Sequence, residues 1–139
     1  MRVISLNANG IRSAARKGLF DWLPEQQADI LCLQEIKAQM SDLEGDRTFS
    51  PDGWHAHFNH AQKKGYAGTA IFSRREPDAV IDRLGVTEFD DEGRYIELRF
   101  GKLSVASLYL PSGSSGPERQ ASKDRFLAFF EPRMRASRE

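Results

Sequence analysis

The residues of this chain whose types and spacing suit chemistry at a phosphate are Asn7 with Asn9, Glu35 with Lys37, and Tyr109. Asn7 and Asn9 are separated by one residue and point the same way along an extended backbone. Asn-x-Asn-Gly is also an ordinary turn. The pair is therefore either a satisfied loop or a set of amides that hold a metal ligand or orient a phosphate. Gln34-Glu35-Ile36-Lys37 puts an amide, a hard oxygen anion and a cation in one short run. Mg²⁺ takes one or two carboxylates and completes its shell with water and substrate oxygens. Glu35 fits that economy; a surface carboxylate or a helix cap is the plain alternative. Arg12 is placed to pair with a phosphate.

Further along, Lys63-Lys64 precedes Gly65-Tyr66-Ala67-Gly68-Thr69. This is either a loop leading into a strand or a close backbone approach to nucleic acid, with two lysines and an aromatic to hold it. A Walker A loop is excluded because the Gly-Lys-Ser/Thr ending is missing. Glu92-Gly93-Arg94 sets an arginine at a strand entrance, either as a surface cation or as a phosphate contact. His55, His57 and His60 have the look of a metal cluster, but zinc needs more ligands than the sequence offers nearby.

These groups need elements to position them. Arg2–Leu6 reads as a short buried strand, broken by Asn9-Gly10. Ser13 is the expected cap of a helix over Ala14–Leu23, ended or bent by Pro24. Ile30–Leu33 lacks alternation, as a central strand covered on both faces does. Strand, helix, strand predicts a βαβ unit. A short helix is expected over Ser41–Arg47, capped by Ser41 with Glu44 at the capping-box position. Strands are expected at Trp54–Phe58, Gly68–Ser73 and Ala79–Val86. Tyr95–Phe100 alternates as a half-buried strand and pairs through Gly101-Lys102 with Leu103–Leu110. Ser112–Gly116 reads as a flexible loop. Pro117 opens a helix that turns Phe126, Leu127, Phe130 and Met134 inward and bends at Pro132.

The chain has 139 residues, is 40% hydrophobic and 29% charged, and carries zero formal net charge. That suits one soluble domain or part of one, with no global positive field for nucleic acid. Cys32 is the only cysteine, so no internal disulfide forms, in keeping with a reducing cytoplasm. Neither a signal peptide nor a membrane span is expected.

Taken together, Leu6-Asn7-x-Asn9-Gly10-Ile11-Arg12, Leu33-Gln34-Glu35-x-Lys37, Gly65-Tyr66-x-Gly68 through Ser73-Arg74, Glu92-Gly93-Arg94 and Leu108-Tyr109-x-Pro111 resemble the exodeoxyribonuclease III family of apurinic/apyrimidinic endonucleases. That family lies within the endonuclease/exonuclease/phosphatase superfamily. The resemblance implies an α/β fold: half of a four-layer α/β sandwich, residues 1–139 giving one mixed β-sheet with its covering helices and an uncovered inner face. It implies that Asn7 and Glu35 belong to a Mg²⁺ site (Mn²⁺ as a substitute), with Glu35 the direct ligand. Tyr109 is then the active-site tyrosine, and Arg12, Lys37, Tyr66 and Arg94 lie near the DNA backbone. The implied substrate is double-stranded DNA, cut 5′ to abasic sites or trimmed from 3′ ends, with no membrane involved. The family's later Gly-Asp-x-Asn and Ser-Asp-His motifs do not occur in this sequence. The chain alone is thus expected to be inactive, and to self-associate or need a C-terminal half. Another phosphodiesterase or phosphatase of the superfamily, and a non-catalytic half that binds DNA or a partner, are the alternative readings.

Overall fold

The computed structural model describes residues 1–112 and 116–138, in two units, Met1–Tyr109 and Leu110–Glu139. The tip of the Ser/Gly loop expected to be flexible, 113–115, lies outside the described residues.

In the first unit, β1 (Val3–Asn7) runs parallel to β2 (Ile30–Gln34), the expected βαβ pairing. Between them come α1 (Ile11–Arg16), α2 (Leu19–Trp22) and a 3₁₀ turn over Leu23–Gln26. The expected single helix starts earlier and is split. The Ile11 amide donates to Ile36 O at 2.8 Å, so the helix begins directly after Gly10 and Ser13 caps nothing. Gly18 adopts φ +98° between α1 and α2, and Pro24 sits within the 3₁₀ turn. The next helix, α3 (Met40–Leu43), also shifts forward: Gln39 and Asp42 form its capping box in place of Ser41 and Glu44.

The chain then forms β3 (His55–Asn59) and β4 (Thr69–Ser73), completing a mixed sheet in the order β1-β2-β4-β3. A second, antiparallel sheet holds β5 (Ala79–Ile81), β6 (Tyr95–Phe100) and β7 (Leu103–Leu108) in that order, with α4 (Thr87–Asp90) before β6. β5 stops short of Val86 because the Asp90 carboxylate accepts the Leu84 and Gly85 amides at 2.7 and 3.0 Å, which turns the chain into α4. The α/β class with a mixed sheet and helices stands. The expectation of a single sheet with an uncovered inner face does not.

The reason lies in the side chains. Ile30, Cys32 and Ile71 on one face of the mixed sheet cluster with Ile96, Leu98 and Phe100 of β6. The other face, Leu31, Leu33, Ala70 and Phe72, packs with Ile11, Leu19, Leu23, Leu43 and Phe49. β2 and β4 are therefore buried on both sides, which explains their unbroken apolar runs. β1, expected to be buried, is instead an edge strand with Val3 46% and Leu6 36% exposed. β6 is buried on both faces too, since Tyr95 and Glu97 are hydrogen-bonded to each other inside.

The second unit is mainly α5 (Pro117–Ser137), which begins on Pro117 as expected and continues through Pro132. Phe126 and Phe130 stack at 5.5 Å. Leu127 and Met134, expected to face inward, are 43% and 56% exposed, because only the narrower stripe through Ser122, Phe126 and Phe130 is buried. Among the described residues no helix is long and apolar enough to cross a membrane.

Gly93 is the tightest point in the first unit. Its φ is +59°, and a Cβ there would meet Asn59 O at 2.4 Å. Gly68, at φ +83°, would meet the Ile36 side chain at 2.6 Å and a backbone oxygen, Asn59 O, only at 3.3 Å. A backbone oxygen cannot yield as a side chain can. Gly93→Ala should therefore lower unfolding stability by about 2 kcal/mol or more, and by more than Gly68→Ala, in denaturant titrations of the two variants.

Candidate active site

All five chemistry-bearing segments meet at one end of the two sheets, linked in sequence order by main-chain hydrogen bonds. Gly10 N donates to Glu35 O at 2.7 Å, Ile36 N to Gly68 O at 3.2 Å, Gly68 N to Glu92 O at 3.3 Å and Tyr109 N to Arg94 O at 2.9 Å. β1, β2 and β7 end here; β4 and β6 begin here.

Leaving a doubly buried sheet at this end forces unusual backbone. Asn9, Glu35, Lys37 and Ala67 take φ values of +46°, +53°, +50° and +47°. Left-handed residues without the freedom of glycine are costly and gather where a site needs groups aimed in particular directions. Asn9 is eased by an Asx turn, its amide donating to Asn7 Oδ1 at 3.0 Å.

Glu35 and Tyr109, 74 residues apart, are joined side chain to side chain: the tyrosine hydroxyl donates to Glu35 Oε1 at 2.5 Å. Burial, then the hydrogen bond and charge of Glu35, push the Tyr109 phenol up to about 12, against a smaller opposing pull from Arg94. Tyr109 therefore remains a proton donor at neutral pH. Asn7 stands opposite Gln34 in the β1–β2 register, one residue from Glu35. Gln34 itself is fixed: its Nε2 donates to Ser5 Oγ at 3.2 Å and Ser107 Oγ at 3.0 Å, and Ser107 Oγ donates to Leu33 O at 2.9 Å. This bridge between the sheets holds the ends of β2 and β7 side by side. Sequence reasoning saw Gln34 only as an amide near a metal, and gave Ser107 no role beyond its place in the segment that leads to Tyr109.

The donor chemistry of Glu35 and Asn7 is that of a hard cation's ligands. Glu35 presents a carboxylate with Oε1 shared with Tyr109, and Asn7 presents an amide oxygen on the adjoining strand. One half-buried carboxylate and a neutral oxygen on an exposed side chain match the way Mg²⁺ is held. The histidines make no such set. His60 stacks on Phe58 and its Nδ1 lies 2.7 Å from Ala38 O, and the described residues contain no group of three His, Cys, Asp or Glu side chains able to hold a metal. Cys32 is buried, its thiol pushed up to about 11 by desolvation, and is inert.

The cations divide in two. Lys37 Nζ donates to Asn9 Oδ1 at 2.7 Å, and Arg12 Nη2 to Lys37 O at 3.2 Å while Nη1 lies 3.5 Å from Asp42. Both line an open crevice with Arg16 and Gly65. Arg16 escaped the sequence reading, although its i, i+4 spacing from Arg12 on α1 was a usable signal. Arg94, by contrast, is 2% exposed and turned inward, ion-paired with Glu92. It reaches Tyr66, whose ring lies 5.1 Å from Lys63 Nζ. Arg74, at the far end of β4, stacks on Trp54 at 4.1 Å and takes no part.

Comparison with known proteins places this geometry. The model of the "Endonuclease/Exonuclease/phosphatase family" matches residues 4–138. An exodeoxyribonuclease of Bacillus subtilis (strain 168) is 46% identical over 120 residues, which cover 86% of this chain and 46% of that protein. The structure of an AP endonuclease from Archaeoglobus fulgidus superposes with a TM-score of 0.78 at 32% identity, covering 94% of this chain and 49% of that one. The catalytic domain of Xenopus laevis APE2 gives 0.79 at 29% identity, covering 94% and 52%. The chain thus spans about half the length of these relatives.

The raised Tyr109 phenol makes a stability prediction for the metal-free chain. The folded phenol holds its proton to a higher pH than the unfolded phenol near 10. The unfolded state therefore sheds that proton first, and stability falls as pH rises from about 10 towards 12. Tyr109→Phe should lose less stability across that window than the parent when both are unfolded by urea at each pH.

Proposed function

Since the chain belongs to the endonuclease/exonuclease/phosphatase family, we propose that it is the N-terminal half of a Mg²⁺-dependent DNA-repair nuclease. The whole protein would cut the phosphodiester 5′ to an abasic site and remove nucleotides from 3′ ends of double-stranded DNA. The observation that carries this reading is the joining of Glu35 and Tyr109 by one hydrogen bond at the shared end of the sheets. The matched proteins bear the names of an exodeoxyribonuclease and of AP endonucleases, which favours DNA over other phosphodiesters.

In this reading Glu35 and Asn7 would hold the cation, which when bound would supply positive charge against the phosphate. Tyr109, protonated across the neutral range, donates its hydroxyl to a non-bridging phosphate oxygen, a charge-assisted hydrogen bond that strengthens as the phosphorus becomes five-coordinate. The crevice of Arg12, Arg16 and Lys37 grips the backbone of one strand, giving a chain of zero net charge a local basic surface. Tyr66 and Lys63 add a ring and a cation beside the cut. The base that activates water and the group that steadies the departing charge are supplied by the C-terminal half, so the 139-residue chain does not cleave by itself. The exposed edge strand β1 is where that half, or a second copy of the chain, would attach. The reading includes a cytoplasmic location.

The test is a full-length protein carrying this segment, given a duplex with a single abasic site. Incision 5′ to the lesion that needs Mg²⁺ is expected, and an inert protein overturns the proposal. Tyr109→Phe should lower kcat by roughly 10–10³-fold with little change in KM. Glu35→Gln should weaken Mn²⁺ binding in direct titration; equal affinity would remove Glu35 from the metal.

The crevice makes a separate prediction. Arg16→Gln and Lys37→Gln should each reduce the slope of log Kd against log salt by about one, read by fluorescence anisotropy on uncleaved duplex.

A further inference from the structure

Arg94 was expected to lie near the DNA backbone, yet it is 2% exposed and its guanidinium is committed on every edge. Nε and Nη2 face the Glu92 carboxylate, Nη1 donates to Tyr109 O at 3.1 Å, and Nη2 donates to Tyr66 Oη at 3.1 Å. Its centre lies 5.0 Å from the middle of the Tyr109 ring. Arg94 O also accepts the Tyr109 amide at 2.9 Å, so the two residues are tied in both directions. A guanidinium can serve three acceptors at fixed angles and stack on a ring at once, which an ammonium cannot.

From this geometry we infer that Arg94 is a positioning residue: it clamps the Tyr109 ring and main chain so that the hydroxyl meets Glu35, couples that clamp to the Tyr66 loop, and does not touch phosphate. The inference rests on the nuclease reading for the reaction it serves. Its structural basis is independent of that reading. Tyr109 lies just past the end of β7, and among the described residues its main-chain amide is held by Arg94 O. Without the clamp the ring is free to leave Glu35. Because Tyr66 and Lys63 sit on the same loop, a phosphate gripped there would settle the guanidinium, and through it the tyrosine. Ground-state binding gains nothing from such a device; the barrier does.

Two experiments separate the possibilities. The first uses the 139-residue chain with ¹³C-labelled tyrosine, Tyr109 being assigned by its loss in Tyr109→Phe. The double variant E92Q/R94M removes the ion pair without stranding a buried charge. Tyr109 ring signals should move towards those of exposed tyrosine while Tyr95 signals stay in place. Unmoved Tyr109 signals overturn the clamp. If Tyr95 also loses its dispersion, Arg94→Lys, which keeps the charge pair, takes its place and is read in the same way.

The second uses the full-length nuclease. Arg94→Lys and E92Q/R94M should lower kcat about 10–100-fold with KM and the salt slope unchanged, and should cost less than about 3-fold when added to Tyr109→Phe. A salt slope reduced by about one with kcat kept would make Arg94 a phosphate contact, and a full additive loss on Tyr109→Phe would give it a role unconnected with Tyr109. Either result overturns the inference. A full-length protein that cuts no DNA would count against the nuclease reading alone, since the tyrosine signals decide the clamp by themselves.

Discussion

The arrangement depends on β2 and β4 being buried on both faces. Between their two apolar layers β2 and β4 carry no carboxylate, and their polar side chains collect where the strands emerge. Both strands emerge at the end where β1 and β7 also finish. Each emerging segment then carries unpaired main-chain groups that water reaches poorly, and the segments satisfy one another. Glu35 O takes the Gly10 amide, Gly68 O the Ile36 amide, and Arg94 O the Tyr109 amide. The site is thus built first as main chain, with the side chains following. The left-handed residues Asn9, Glu35, Lys37 and Ala67 are the cost of this stitching, held by the packed layers beneath them.

The electrostatics follow the same logic. Cations left in the open crevice remain available to a polyanion. The cation drawn inside, Arg94, is matched by Glu92, as a buried charge must be. One motif set therefore contains two kinds of arginine, Arg12 in the open crevice and Arg94 inside beside Glu92.

Much of this was legible beforehand. The unbroken apolar runs around Leu31 and Ile71 announced central strands, and Gly101-Lys102 announced the hairpin, because period and turn chemistry are local properties. Asn7, Glu35 and Tyr109 were legible as a set because each follows such a run. What stayed hidden depended on partners far away in the chain. β1 reads as buried by composition, yet its place at a sheet edge leaves Val3 and Leu6 in the open. Tyr95 and Glu97 read as one polar face until they bond to each other. Glu92-Gly93-Arg94 reads as a strand entrance with a surface cation or a phosphate contact, since nothing within three residues reveals that Arg94 will find Tyr66 and Tyr109. The second sheet was missed for a similar reason: its strands were recognised one by one, but which layer they join is a non-local fact.

The separation of Glu35 from Tyr109 also orders events during synthesis. Closing a chain loop of 74 residues between these two side chains is a late step, because long-range contacts wait on the entropy of loop closure. The neighbouring pairing of Asn7 with Gln34 closes a far shorter loop. A ribosome-bound chain can therefore assemble β1 against β2, and with it the carboxylate end of the site, well before the tyrosine has been made. Until residue 109 has cleared the exit tunnel, Glu35 cannot make the hydrogen bond that ties it to Tyr109.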